Sequence, residues 1–158
     1  MSSANNIAYT ALINPNGSTP LSHDQIWAGL LLKIRSAETF VPAAISHTKV
    51  LSESIDPTGN PVTVREVFFL ESGKTVRETV VAYEPTRVDF QQDGGNISNV
   101  ISEGANGELY MTYIFQWKHD GASKEELEAF LVKEKSMARV AVEGTIQALH
   151  HLALEKKL

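Results

Sequence analysis

The first forty residues combine a strand pattern with a helix pattern. Residues 7–14 are mostly apolar and end in the turn-forming sequence Asn-Pro-Asn-Gly, which predicts a strand. Ser22 and Gln25 have the spacing of a capping box, in which each side chain accepts from the other residue's backbone amide. Apolar residues then recur at helical spacing and predict a helix over residues 22–37: Ile26, Leu30, Ile34 and Ala37.

The middle of the chain consists of short segments separated by Gly, Pro, Asn and Asp, which is typical of an antiparallel meander. We expect strands near residues 45–55, 62–71, 74–83, 86–92, 96–104 and 108–118. A second capping box, at Ser123 and Glu126, begins an amphipathic helix that runs to Leu152, a length of about 45 Å. This order predicts an α+β fold, in which the long C-terminal helix covers one face of a curved antiparallel sheet.

Two hairpins determine which side chains face that helix. A turn at residues 72–73 would place Val67 opposite Glu78, with Arg65 diagonal to Glu78 on the same inward face. The other members of that face are apolar: Val67, Phe69, Val76, Val80 and Ala82. Asn106-Gly107 favours a two-residue type I′ turn that places Val100 opposite Tyr113. The same face as Tyr113 then carries Met111, Phe115 and Trp117.

The predicted C-terminal helix has an apolar stripe that is bulky at its ends and small in its middle. The stripe contains Phe130, Leu131, Glu134, Ala138, Ala141, Val142, Thr145, Ala148, Leu149 and Leu152, while Val140 and Ile146 lie off it. Small side chains leave room beneath a curved sheet, and close-packed interiors do not keep large voids without a use. We therefore expect a ligand cavity; the alternative is that large side chains of the sheet fill the space.

Length, composition and charge limit the kinds of protein that this chain can be. The chain has 158 residues, of which 42% are hydrophobic, and this suits a single folded domain over residues 1–158. A net charge of −5 argues against nucleic acid as a partner, and the lack of cysteine excludes disulfides and thiol nucleophiles. The N-terminus does not resemble a signal peptide, and no apolar run approaches the ~18 residues of a membrane span. We expect a cytoplasmic protein without a membrane span.

The motif-like patterns in the sequence do not fit the secondary structure that their chemistry would need. The Ser-x-x-Lys pattern at Ser46 and Lys49 lies in a predicted strand, whereas that motif belongs at the start of a helix. His150 and His151 are adjacent on a helix and point about 100° apart, so they cannot grip one metal ion. We therefore expect neither a metal nor a cofactor.

Four ionisable residues remain on faces that should turn inward: Lys33, Arg65, Glu78 and Glu134. For Lys33 and Glu134 we favour side chains that reach out to water, although both could bind a ligand. Arg65 and Glu78 could equally form a structural ion pair or take part in chemistry.

Several segments together resemble the AtaL-like family of the START-like, pollen-allergen-like helix-grip superfamily, over nearly the whole chain. They are Leu21-Ser22-His23-Asp24-Gln25-Ile26-Trp27-Ala28-Gly29-Leu30-Leu31-Leu32-Lys33, Phe40-Val41-Pro42, Val64-Arg65-Glu66-Val67-Phe68-Phe69, Val76-Arg77-Glu78-Thr79-Val80 and Gly107-Glu108-Leu109-Tyr110-Met111-Thr112-Tyr113-Ile114-Phe115-Gln116-Trp117. Family members carry Arg where Lys33 stands, and commonly an Arg near His150.

The resemblance implies a helix-grip fold with an internal cavity, and one branch of the family is similar to fungal α-pyrone-forming polyketide cyclases of the aurovertin type. The first hypothesis is therefore a cyclase or lactonising hydrolase of secondary metabolism, with Arg65, Glu78 and Tyr113 as catalytic residues. The alternative is a non-catalytic binding protein for a hydrophobic small molecule or lipid. Substrate-binding candidates are Lys33, Val67, Phe69, Val80, Met111, Phe115, Trp117, Glu134, Ala138, Ala141 and Thr145. Expected partners are a polyketide-like ligand, a polyketide synthase as a candidate, and a second copy in a homodimer.

Overall fold

A computed structural model describes residues 3–158 as one antiparallel sheet and two main helices. Met1 and Ser2, which the single-domain prediction includes, lie outside the described residues. The elements are β1 (Ala4–Leu12), α1 (His23–Arg35), a 3-10 turn (Ala37–Thr39), β2 (Ile45–Ile55), β3 (Pro61–Phe69), β4 (Thr75–Tyr83), β5 (Arg87–Gln92), β6 (Gly95–Glu103), β7 (Leu109–Lys118) and α2 (Lys124–Leu154). The sheet order is β1-β7-β6-β5-β4-β3-β2.

The predicted order of strand, helix, meander and long helix is confirmed, and so is the α+β helix-grip fold. Both capping boxes are present. Ser22 Oγ accepts from the Gln25 amide at 3.2 Å, and Ser123 Oγ accepts from the Glu126 amide at 3.1 Å. Neither helix of residues 3–158 is long and apolar enough to cross a membrane.

The core lies between α2, α1 and the concave face of the sheet. The buried stripe of α2 agrees with the predicted one in Ala138, Val142 and Leu149. Two predictions were wrong at its edges. Ile146 is 8% exposed and belongs to the core, whereas Phe130 is 43% exposed. Phe130 instead stacks on the His119 ring, with ring centroids 4.2 Å apart.

The hairpin of β3 and β4 has a different register from the predicted one. Its loop is residues 70–73, since the Phe69 amide donates to the Lys74 carbonyl at 2.9 Å. Arg65 therefore lies directly opposite Glu78 instead of diagonal to it. A register shift of two positions does not change which side chains share a face, so the predicted inward face is still the inward one.

The register of the β6–β7 hairpin differs from the predicted one by a single position. This smaller shift has a larger effect on which side chains face inward. Its loop has three residues, 105–107, with Gly107 at a φ of +80°, and the Gly104 amide donates to the Glu108 carbonyl at 2.7 Å. The predicted two-residue turn was wrong. Asn99, and not Val100, pairs with Tyr113, and Asn99 is fully buried. A slip by one residue exchanges the two faces of a strand.

Candidate functional site

A cavity of about 170 Å³ lies between the concave face of the sheet and α2. Most of its wall is apolar, and residues from β3, β5, β7 and α2 contribute Val67, Phe69, Phe90, Phe115, Trp117 and Ala141. A few polar side chains interrupt that wall: Lys33, Arg65, Glu78, Gln92, Tyr113 and Thr145. An apolar pocket with a few convergent polar groups is the usual form of a small-molecule site.

Arg65 and Glu78 form a buried ion pair on the wall of the cavity, and each is 4% exposed. The Nε and Nη2 atoms of Arg65 donate to the same oxygen, Oε1 of Glu78, at 3.1 and 2.8 Å. Nη1 donates to the carbonyls of Lys33 and Ile34, both at 2.9 Å, at the C-terminal end of α1. A cation is favourable there because the last carbonyls of a helix carry partial negative charge. Oε2 of Glu78 accepts no hydrogen bond from residues 3–158.

Lys33 lies at the centre of a second polar cluster. Its Nζ donates to Oδ1 of Asn99 at 2.7 Å and to the Tyr113 hydroxyl at 2.8 Å. The Tyr113 hydroxyl and Thr145 Oγ1 are 2.6 Å apart, so the cluster joins α1, β6, β7 and α2. Nζ also lies 4.4 Å from the centre of the Tyr113 ring and 5.1 Å from that of Phe90. Nδ2 of Asn99 has no hydrogen-bond partner among the described residues.

Basic side chains outnumber acidic ones on the cavity wall. Two basic side chains, Lys33 and Arg65, line the cavity with one carboxylate, Glu78. Burial, reinforced by the charge of Arg65, lowers the pKa of Lys33 to about 7, although Glu78 opposes the shift. Burial also raises the pKa of the Tyr113 hydroxyl, so that this group stays protonated at neutral pH. The wall therefore favours a ligand with carbonyl, enolate or carboxylate oxygens.

Ten of the fourteen predicted site residues line this cavity: Lys33, Arg65, Val67, Phe69, Glu78, Tyr113, Phe115, Trp117, Ala141 and Thr145. Val80, Met111 and Ala138 do not line it, because they pack in the hydrophobic core. The expectation that Lys33 and Glu134 reach out to water was wrong, since they are only 8% and 7% exposed.

Glu134 lies on a neighbouring groove of about 260 Å³, nearer the N-terminal end of α2. Asn5 Nδ2 donates to Oε1 of Glu134 at 2.7 Å, and His119 Nε2 lies 3.1 Å from Oε2. These contacts tie Glu134 to β1 and to the end of β7, away from Lys33. Trp117 and Met137 line both the groove and the cavity, so the two spaces share a wall.

The sequence analysis missed Asn99, which binds Lys33 beside the cavity, and several residues of the cavity wall. Asn99 escaped because of the register error in the second hairpin, and a three-residue loop ending in Gly107 is the signal that would have revealed it. Residues beyond α1, among them Val41 and Ala44, escaped because the turn that brings them to the cavity has no periodic pattern. Within residues 3–158, no group of three His, Cys, Asp or Glu side chains could hold a metal ion.

Comparisons with known proteins identify both a family and a fold. The family model AtaL, described as acetylaranotin biosynthesis cluster protein L, matches residues 7–156. No curated protein sequence matches the chain. The crystal structure of Ara h 8.0201 is similar, with a TM-score of 0.56 and 17% identity over 96% of this chain and 99% of that one. A START superfamily protein from Mycobacterium smegmatis has a TM-score of 0.55 and 12% identity, over 92% of this chain and 98% of that one. At these identities the two structures show the fold alone.

Proposed function

The chain belongs to the AtaL family, and from that premise we propose that it is a polyketide cyclase, closing a linear poly-β-keto chain to an α-pyrone in its cavity. The family name refers to a biosynthesis cluster, and together with the START-like fold it supports a ligand-binding or biosynthetic role. A polyketide synthase would then supply the substrate.

One observation carries the proposal: a lysine amine and a carboxylate line the same mostly apolar cavity. Lactonisation of a poly-β-keto chain needs a base that enolises a ketone and a cation that receives the negative oxygen. It also needs the chain folded so that the enolate oxygen meets the terminal acyl carbon. A shaped cavity supplies that proximity.

We infer roles for four of the polar groups from their contacts. Oε2 of Glu78, which accepts no hydrogen bond from the described residues, removes a proton from the carbon between two ketones. The enolate oxygen then forms a C–O bond to the terminal acyl carbon, and the acyl leaving group departs with its electron pair. The third N–H of protonated Lys33 and the Tyr113 hydroxyl donate to the substrate oxygens that become negative. Arg65 is a positioning residue, because its donors are already directed at Glu78 and at α1.

A non-catalytic carrier is the second candidate, and one observation favours it. Arg65 links β3, β4 and the end of α1, which is what a purely structural ion pair would do. In that case Lys33 and Tyr113 would only anchor the polar end of a hydrophobic ligand.

Glu78→Gln separates the two candidates. The substrate is a 3,5-dioxoacyl thioester of a small thiol, and pyrone formation is followed by chromatography against the uncatalysed rate. We expect wild-type protein to accelerate closure and Glu78→Gln to lose about 100-fold or more of that acceleration, within the usual range for a general base. Glu66→Gln is the matched control, because Glu66 pairs with Arg77 on the outer face of the sheet. If the wild-type protein folds and binds the pyrone but does not accelerate its formation, the result would favour the carrier.

A further inference from the structure

We propose that Lys33 is a covalent site for β-dicarbonyl compounds, at which its Nζ condenses with a ketone to form an imine. The inference rests on the proposed function, and it deepens that function by naming how the poly-β-keto chain is held and activated. Nothing in the family comparison assigns this role to Lys33.

The surroundings of Lys33 suit a nucleophilic amine. The residue is 8% exposed and lines the cavity, at a distance from bulk water. A neutral amine has two N–H bonds, and the observed contacts to Asn99 and Tyr113 use both. The lone pair of Nζ is then free to attack a carbonyl carbon. An apolar cavity also favours condensation, because the reaction expels a water molecule.

Burial, together with the second basic side chain of the cavity, leaves a large share of that amine neutral near pH 7. Burial lowers the pKa of Lys33 to about 7, and the positive charge of Arg65 acts in the same direction. The titratable groups that face Lys33 are Arg65 from β3, Glu78 from β4 and Tyr113 from β7. Asn99 from β6 and Thr145 from α2 do not titrate. Desolvation beside another cation is an established way to activate a lysine as a nucleophile.

The condensation is balanced without any further reagent. The lone pair of Nζ forms a bond to the ketone carbon, and the carbonyl electron pair moves to oxygen. A proton passes from nitrogen to that oxygen, for which the Tyr113 hydroxyl, 2.8 Å from Nζ, is a suitable relay. The C–O bond then breaks, water leaves with the second proton, and the C=N bond forms. Once protonated, this iminium acidifies the neighbouring carbon, from which Glu78 takes its proton.

Reductive trapping tests the inference. Wild-type protein is incubated with acetylacetone and cyanoborohydride at pH 7.5, and the adduct is located by intact mass and peptide mapping. We expect one adduct per chain, on Lys33, formed about tenfold or more faster than on the exposed Lys49 and Lys74, which lie outside the cavity and lack its desolvation. The rate at Lys33 should rise with pH and level off above about pH 7 to 8, following its lowered pKa.

Lys33→Arg is the matched variant, since it keeps the positive charge without the nucleophile. We expect it to fold, by circular dichroism, and to lose the adduct. An adduct confined to surface lysines, or a rate at Lys33 that rises only near pH 10, would overturn the inference, and both are read from wild-type protein alone. Binding of 4-hydroxy-6-methyl-2-pyrone without reductant separates the two proposals. If the pyrone binds but no Lys33 adduct forms, the imine proposal fails and the cyclase proposal stands. If neither pyrone binding nor the adduct is observed, both proposals fail.

Discussion

Lys33 couples the protonation of the cavity to the stability of the fold. Its pKa is about 7 in the folded protein, below the value of about 10.4 expected in the unfolded chain. Between these two values the unfolded chain binds more protons than the folded one. The contribution of Lys33 to the free energy of unfolding therefore rises with pH through this window and is least favourable below pH 7.

We predict that this dependence disappears in Lys33→Met. The difference in unfolding free energy, wild type minus variant, should increase by up to about 1.4 kcal/mol per pH unit between pH 7.5 and 9.5. Urea denaturation at several pH values measures this difference. The contributions of titratable groups that the two proteins share cancel in it. A flat difference would mean that Lys33 stays charged in the folded state.

The sequence analysis reached most cavity residues individually and allowed for the Arg65–Glu78 ion pair, but it missed the hydrogen-bonded cluster around Lys33. Alternation along β3 and β4 placed Arg65 and Glu78 on the inward face, and they do lie there. The buried amide of Asn99 was missed, because its orientation depends on whether one loop has two residues or three. The burial of Lys33 depends on the partners that accept its hydrogen bonds, and those come from distant strands.

At the scale of elements, the β6–β7 pairing holds Trp117 and Tyr113 against the cavity. Gly95, the first residue of β6, has a φ of +149° and pairs with Trp117. A Cβ added there would lie 1.7 Å from the backbone oxygen of Gln116, which has no room to move within a sheet.

We predict that Gly95→Ala lowers the unfolding free energy by about 2–4 kcal/mol, because the strands must separate locally to accept the methyl group. Gly94→Ala is the matched control. A Cβ at Gly94 meets nothing within 4 Å, so its effect should stay within about 0.5 kcal/mol. Thermal or urea unfolding of the two variants compares them, and equal stabilities would contradict this account of the strand pairing.

The elements themselves were predictable because their signals are local. Two capping boxes and a 3.6-residue periodicity mark α1 and α2, and Gly, Pro and Asn mark the turns between strands. Registers were less predictable, since a loop of two, three or four residues can carry the same turn-forming residues. Both register errors arose in this way.

At the scale of the whole molecule, the order of elements leads to a sheet closed by one long helix. The small side chains of Ala141 and Thr145 leave space beneath the helix, and that space is the cavity. Nothing in the sequence pattern indicates how large the space is, because its volume depends on the sheet's curvature and on the turn after α1. A homodimer stays a prediction. If it forms, Ile146 takes no part in it, because this side chain is buried in the core.

The central claim is that the mostly apolar cavity, with its few polar groups, binds a compact, oxygen-rich ring. A cavity of about 170 Å³ suits a single substituted ring, since an apolar cavity of about 150 Å³ holds benzene. The most direct test is a titration of 4-hydroxy-6-methyl-2-pyrone followed by NMR, with wild type and Ala141→Phe compared. We predict saturable shifts at Phe115, Tyr113 and Thr145 in the wild type. In Ala141→Phe we predict a folded protein without them, because the new ring occupies the cavity. Failure of the pyrone to bind wild-type protein, or equal binding to a folded Ala141→Phe, would contradict the claim.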